Sequence, residues 1–150
     1  MKLEFKVYAS PKPWVVYVRK TARSNRSVYM GEWQEAVGKA AADAYDGCDV
    51  LRCEPVRIDT HFFLQPPKAS PKLAYQAWRD KRIVEPGRGN PDLDNLRKAT
   101  IDGLQEVIIA DDSLVIAGYM TKQYVCKRDD NPYAHILIFT GEDLCRAVSD

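Results

Sequence analysis

Apolar and polar positions change their period several times along the chain, and each change marks an element. Leu3, Phe5 and Val7 alternate with Lys2, Glu4 and Lys6, the two-residue period of a strand with one buried face. Residues 9–30 lose that regularity. They carry prolines and the basic side chains Arg19, Lys20, Arg23 and Arg26 among Ser24, Asn25 and Ser27, which predicts a long exposed loop with short strands at 14–18 and 27–30. Trp33, Ala36, Val37, Ala40, Ala41 and Ala44 then recur at helical spacing, with Gly47 as a stop. Residues 57–64 return to alternation, with Ile58, Thr60 and Phe62 opposite Arg57, Asp59, His61 and Phe63.

Residues 65–91 read as a breaker-rich insertion holding Pro66, Pro67, Pro71, Pro86 and Pro91, with a short helix at 73–82. A second strong helix is predicted at 94–107, where Leu96, Ala99, Thr100, Leu104 and Val107 form one stripe. Strands at 114–127 and 133–140 follow, then a polar tail. The order strand, helix, strand, helix, strand, strand predicts a single domain over residues 1–150. Its class is α/β (α+β): a small mixed, mostly antiparallel sheet packed by two main helices.

Composition narrows the function classes. The 150 residues are 45% hydrophobic and 29% charged, which excludes wholesale disorder. No apolar run approaches the roughly 20 residues a membrane helix needs, and the first residues lack a signal-peptide core. A cytoplasmic protein without membrane association is expected. Cys48, Cys53, Cys126 and Cys145 fit no paired metal-ligand spacing, and reduced thiols are the plain reading.

The net charge of +1 argues against a polycation that coats nucleic acid, yet the charge is unevenly spread. Residues 1–30 hold seven basic side chains against one acidic, residues 66–91 six against two, and residues 113–128 three against none. These stretches flank an acidic segment at 92–112. Arg19, Lys20, Arg23 and Arg26 are therefore candidate phosphate contacts, which give position and affinity without reading bases. A merely solvated loop is the alternative.

The densest chemistry is Pro91-Asp92-Leu93-Asp94-Asn95-Leu96-Arg97-Lys98, followed by Asp102 and by Asp111-Asp112. At about 100° per helical residue, Asp94, Lys98 and Asp102 share one face, opposite the apolar stripe. Phosphodiester hydrolysis needs a cation to neutralise the phosphate and acidify water, and magnesium takes oxygen ligands from one or two carboxylates. A nearby lysine can hold charge developing on the phosphate or the leaving oxygen. Plainer readings stand beside this one: an N-cap at Asp92 or Asp94, a solvated Asp94–Lys98 pair, and an Asp-Asp-Ser turn. Leu96 and Arg97 exclude a calcium-binding EF-hand loop.

This segment, continued through Asp102-Gly103-Leu104, Asp111-Asp112-Ser113-Leu114-Val115 and Lys122, closely resembles the RusA family of Holliday junction resolvases. The resemblance implies a small magnesium-dependent endonuclease that acts as a homodimer and nicks four-way DNA junctions in paired strands. It implies that Asp92, Asp94 and Asp112 bind Mg²⁺ and that Lys98 is the catalytic lysine. Asp111 and Asp102 become outer-shell or helix-stabilising groups, Asn95 orients a carboxylate or caps the helix, and Lys122 touches DNA phosphate or solvent. The insertion before Pro91 is longer than the family pattern suggests. Two other classes remain open: a metal-dependent nucleotidyl- or glycosyltransferase using the same DxD, which lacks a Gly-Ser phosphate loop here, and a non-catalytic junction-binding protein.

Overall fold

Strand β2 (Val56–Leu64) has a partner on both sides and so forms the middle of the sheet. The computed structural model describes residues 1–13, 25–45, 54–65, 91–125 and 130–149. The strand expected at 14–18, the stop at Gly47, the helix expected at 73–82 and Cys48, Cys53 and Cys126 lie outside the described residues. On one side of β2 runs β5 (Tyr133–Phe139), antiparallel, with Arg57 opposite Phe139 and Phe63 opposite Tyr133. Beyond it lies β1 (Lys2–Val7), antiparallel to β5. The other side of β2 carries two short parallel strands end to end, β3 (Val115–Ala117) and β4 (Met120–Tyr124). The longer pairings are thus antiparallel in a mixed five-stranded sheet, the expected class.

Alternation puts Leu3, Phe5 and Val7, Ile58 and Phe62, and Ile136 and Ile138 on the buried face. There they join one core with helices α1 (Asn25–Ala44) and α2 (Leu93–Leu104). Each fully buried side chain of this size contributes about 1.5–3 kcal/mol. The two helices are keyed together by polar groups as well. Trp33 Nε1 donates to Thr100 Oγ1 at 3.2 Å, and that hydroxyl donates to the Leu96 carbonyl at 2.8 Å. A Cβ on Gly103 would stand 2.8 Å from the Gln34 carbonyl oxygen, so the helices cross at a distance only glycine permits.

The structure departs from the sequence reading in five places. Residues 27–30, expected as a strand, belong to the first turns of α1, and Arg26 is therefore helical rather than in a loop. Met30 explains the extension, because it lies three and seven residues before Trp33 and Val37 and packs on the same core. Helix α2 ends at Leu104 rather than 107. Glu106 adopts a positive φ of 63°, and its N–H is held by the Ile109 carbonyl at 2.8 Å, which turns Ile108 and Ile109 into the core.

The single strand expected at 114–127 is broken between β3 and β4. A Cβ on Gly118 would fall 2.3 Å from the Ile58 carbonyl oxygen, and Tyr119 N–H donates to the Asp59 carboxylate at 2.8 Å instead of a ladder carbonyl. Asp59, expected to face outward, is buried for this reason, with Arg57 Nε and Nη2 on its two oxygens at 2.9 and 3.0 Å.

Finally, the expected polar tail is helix α3 (Gly141–Ser149). Leu144 is its buried anchor, Glu142 and Asp143 suit its first turn, and Arg57 donates to the Ala147 carbonyl. Among the described residues no helix is long and apolar enough to cross a membrane.

Candidate active site

Helix α2 carries most of the site because its sequence divides cleanly into two faces. Leu96, Ala99, Thr100 and Leu104 are buried against α1 and the sheet, and that packing fixes the rotation of the opposite face. Asp94, Lys98 and Asp102, spaced four residues apart, line a cleft of about 450 Å³. Asp112 faces them across it from a 3-10 turn (Asp112–Leu114), and Arg97, Ile101 and Val115 complete the lining. The cleft opens at the edge of the sheet where β3 begins.

The remaining motif residues are placed around this opening. Asp92 occupies the N-cap position of α2, where its carbonyl accepts from Leu96 N–H at 3.0 Å. Its carboxylate makes no capping hydrogen bond and is exposed, and it is not among the residues lining the cleft. Lys122 on β4 is half-buried and donates to the Pro91 carbonyl at 2.9 Å, tying the sheet edge to the residue before Asp92. Arg19, Lys20 and Arg23 lie outside the described residues.

Neighbouring Asp111 and Asp112 have different tasks. Asp111 Oδ1 accepts from Ser113 N–H at 2.9 Å, which caps the 3-10 turn, and hydrogen bonds from the Ser113 side chain and then its backbone hold that carboxyl below its usual range. Asp112, one residue on, lines the cleft. Asp102 is the least solvated acid on the α2 face. Burial pushes its carboxyl up, the Lys98 ammonium pulls it down, and the Asp112 carboxylate pushes it up again. Gln34 on α1 donates to Asp102 Oδ2 at 3.4 Å.

The donor set is made of carboxylate oxygens, the type a hard divalent cation takes, and repulsion between Asp102 and Asp112 is what such a cation would relieve. Among the described residues, no three Asp, Glu, His or Cys side chains stand close enough to hold a metal ion as they are. Arg97 and the apolar pair Ile101 and Val115 were not singled out from sequence. The usable signal for Arg97 was its position three residues after Asp94, which places it beside the acidic face.

Fold and cleft together define an α+β protein with an acidic, lysine-bearing groove at a sheet edge. The family model described as endodeoxyribonuclease RusA matches residues 4–138 of the chain, from β1 nearly to the end of β5. The chain belongs to this family of nucleases. No curated protein matches it at a significant level. Helix α3 lies beyond the matched residues.

Proposed function

We propose that this protein is a magnesium-dependent, structure-selective endonuclease that resolves four-way DNA junctions by paired nicking as a homodimer. The observation that carries the reading is the cleft itself: Asp94, Lys98 and Asp102 on one helix face, opposed by Asp112. Asp92, Asp94 and Asp112 would hold Mg²⁺. When bound, the ion supplies positive charge at the scissile phosphate and lowers the pKa of the attacking water.

The chain's own groups do the rest. Lys98 stands one helical turn from both Asp94 and Asp102, lines the cleft between them and acts electrostatically on Asp102. There it stabilises charge on the phosphate and on the departing sugar oxygen as the P–O bond breaks. Lys122 anchors Pro91 and so sets where Asp92 begins the helix; with Arg19, Lys20, Arg23 and Arg26 it is also proposed to contact DNA phosphates. A four-way junction has twofold symmetry, and a twofold dimer presents one cleft to each of two opposed strands.

The test is cleavage of a synthetic four-way junction against linear duplex, with and without Mg²⁺. Wild type should nick the junction in opposed strands only with the metal. Asp92→Asn should bind the junction and leave it uncut. A wild-type protein that binds without cutting would favour a purely structural junction binder.

A further inference from the structure

Arg97 is the one cleft-lining side chain with a buried polar atom that nothing satisfies. Its Nε is shielded from solvent and has no hydrogen-bond partner, and Arg97 forms no ion pair among the described residues. The acids around it are differently engaged. Asp59, at the β3–β4 break, is saturated by Arg57 and the Tyr119 N–H. Asp102 is coupled to Lys98 and to Gln34.

Buried donors without acceptors are rare in native proteins, because removing an N–H from water has to be compensated. The guanidinium end reaches the β3–β4 break. Gly118 has no side chain to cover Nη2, and a Cβ there would lie 3.4 Å from it. Because Arg97 lines the cleft, an anion that enters it from solvent meets the guanidinium. A planar fork of N–H groups at the rim fits the paired oxygens of a phosphate diester, and Arg97 with Lys98 supplies the cationic part of a lining otherwise dominated by Asp94, Asp102 and Asp112.

We propose that Arg97 is a DNA-binding residue of this cleft, gripping a backbone phosphate next to the one that is cut. It thereby holds the strand in register while Lys98 serves the reacting phosphate. The inference rests on the nuclease reading above.

The experiment compares Arg97→Gln and Arg97→Lys with wild type on a Mg²⁺-dependent four-way-junction assay. Junction affinity is measured at several salt concentrations in an Asp92→Asn background. Arg97→Gln should weaken binding on the order of tenfold, the loss of one charge-assisted contact, and raise KM with little change in kcat. The slope of log affinity against log salt should fall by about 1. Arg97→Lys should restore that slope but not the full affinity, because it keeps the charge and loses the fork.

Thermal midpoints separate this from a packing role: Arg97→Gln should melt no lower than wild type, since it deletes a donor that had no acceptor. A lowered midpoint with unchanged affinity and salt slope overturns the inference. So does unchanged affinity, salt slope and KM with wild type still cutting. A wild type that neither binds nor cuts junctions instead overturns the nuclease reading, and this inference with it.

Discussion

At the scale of single residues, neighbouring acids in one motif are made chemically different by their surroundings. Asp111 is occupied by Ser113, while Asp112 lines the cleft. Asp112→Asn should lower junction cleavage by at least about a hundredfold, the size of effect expected when a charge-stabilising group is lost. Asp111→Asn should leave cleavage largely intact and cost some thermal stability; both are read from single-turnover cleavage and melting curves. Asp102 makes a prediction about pH. Its carboxyl is raised above 3.8 in the fold, mainly by burial, so the folded chain binds the proton more tightly than the unfolded chain does. That contribution is complete at pH values below the unfolded pKa and is lost as pH rises through the folded one. Asp102→Asn, which mimics the protonated form, should therefore match wild type in urea midpoint near pH 3.5 and exceed it near neutrality. The shared face of Asp94, Lys98 and Asp102 was legible in sequence because spacing alone puts them on one side of the helix, and there they line one cleft. The division of labour between Asp111 and Asp112 was not, since it depends on which oxygen finds the Ser113 N–H.

At the scale of elements, the site depends on the contact between α1 and α2. Gly103 follows Asp102 directly, and a Cβ there would meet the Gln34 carbonyl at 2.8 Å and Val37 Cβ at 3.1 Å. Gly103→Ala should force the helices apart and cost about 1–3 kcal/mol of stability in urea unfolding. It should also weaken cleavage, because the face carrying Lys98 and Asp102 moves with the helix. The two long helices and the three long strands could be read from periodicity, since burial on one face leaves a repeating mark. The shorter features could not. Ser27 to Met30 alternates like a strand for too few residues to outweigh the helical register that Met30 shares with Trp33 and Val37. The β3–β4 break depends on a carbonyl of Ile58 that is distant in sequence, and α3 is held by Leu144 and by Arg57, a contact across 90 residues.

At the scale of the whole molecule, fold and chemistry sit on opposite sides of α2. The sheet and α1 hold its apolar side, and the edge strands β3 and β4 bring Asp112 and Lys122 to its polar end. The family match covers this entire arrangement. Class and motif were readable from the chain because both are repeated or local patterns. The sheet order was not, because β5 lies between β1 and β2 although it is the last strand in sequence. That placement has a consequence for synthesis on the ribosome. The first strand ends at Val7, more than a hundred residues before its neighbour β5 begins at Tyr133, and β2, ending at Leu64, also precedes that antiparallel partner by a long stretch of chain. Helices α1 and α2 and the acidic motif therefore leave the exit tunnel ahead of the strand that joins the halves of the sheet. The nascent protein must pass through a stage with two unpaired apolar edges before the last strand slots between them, which is when a chaperone is most needed.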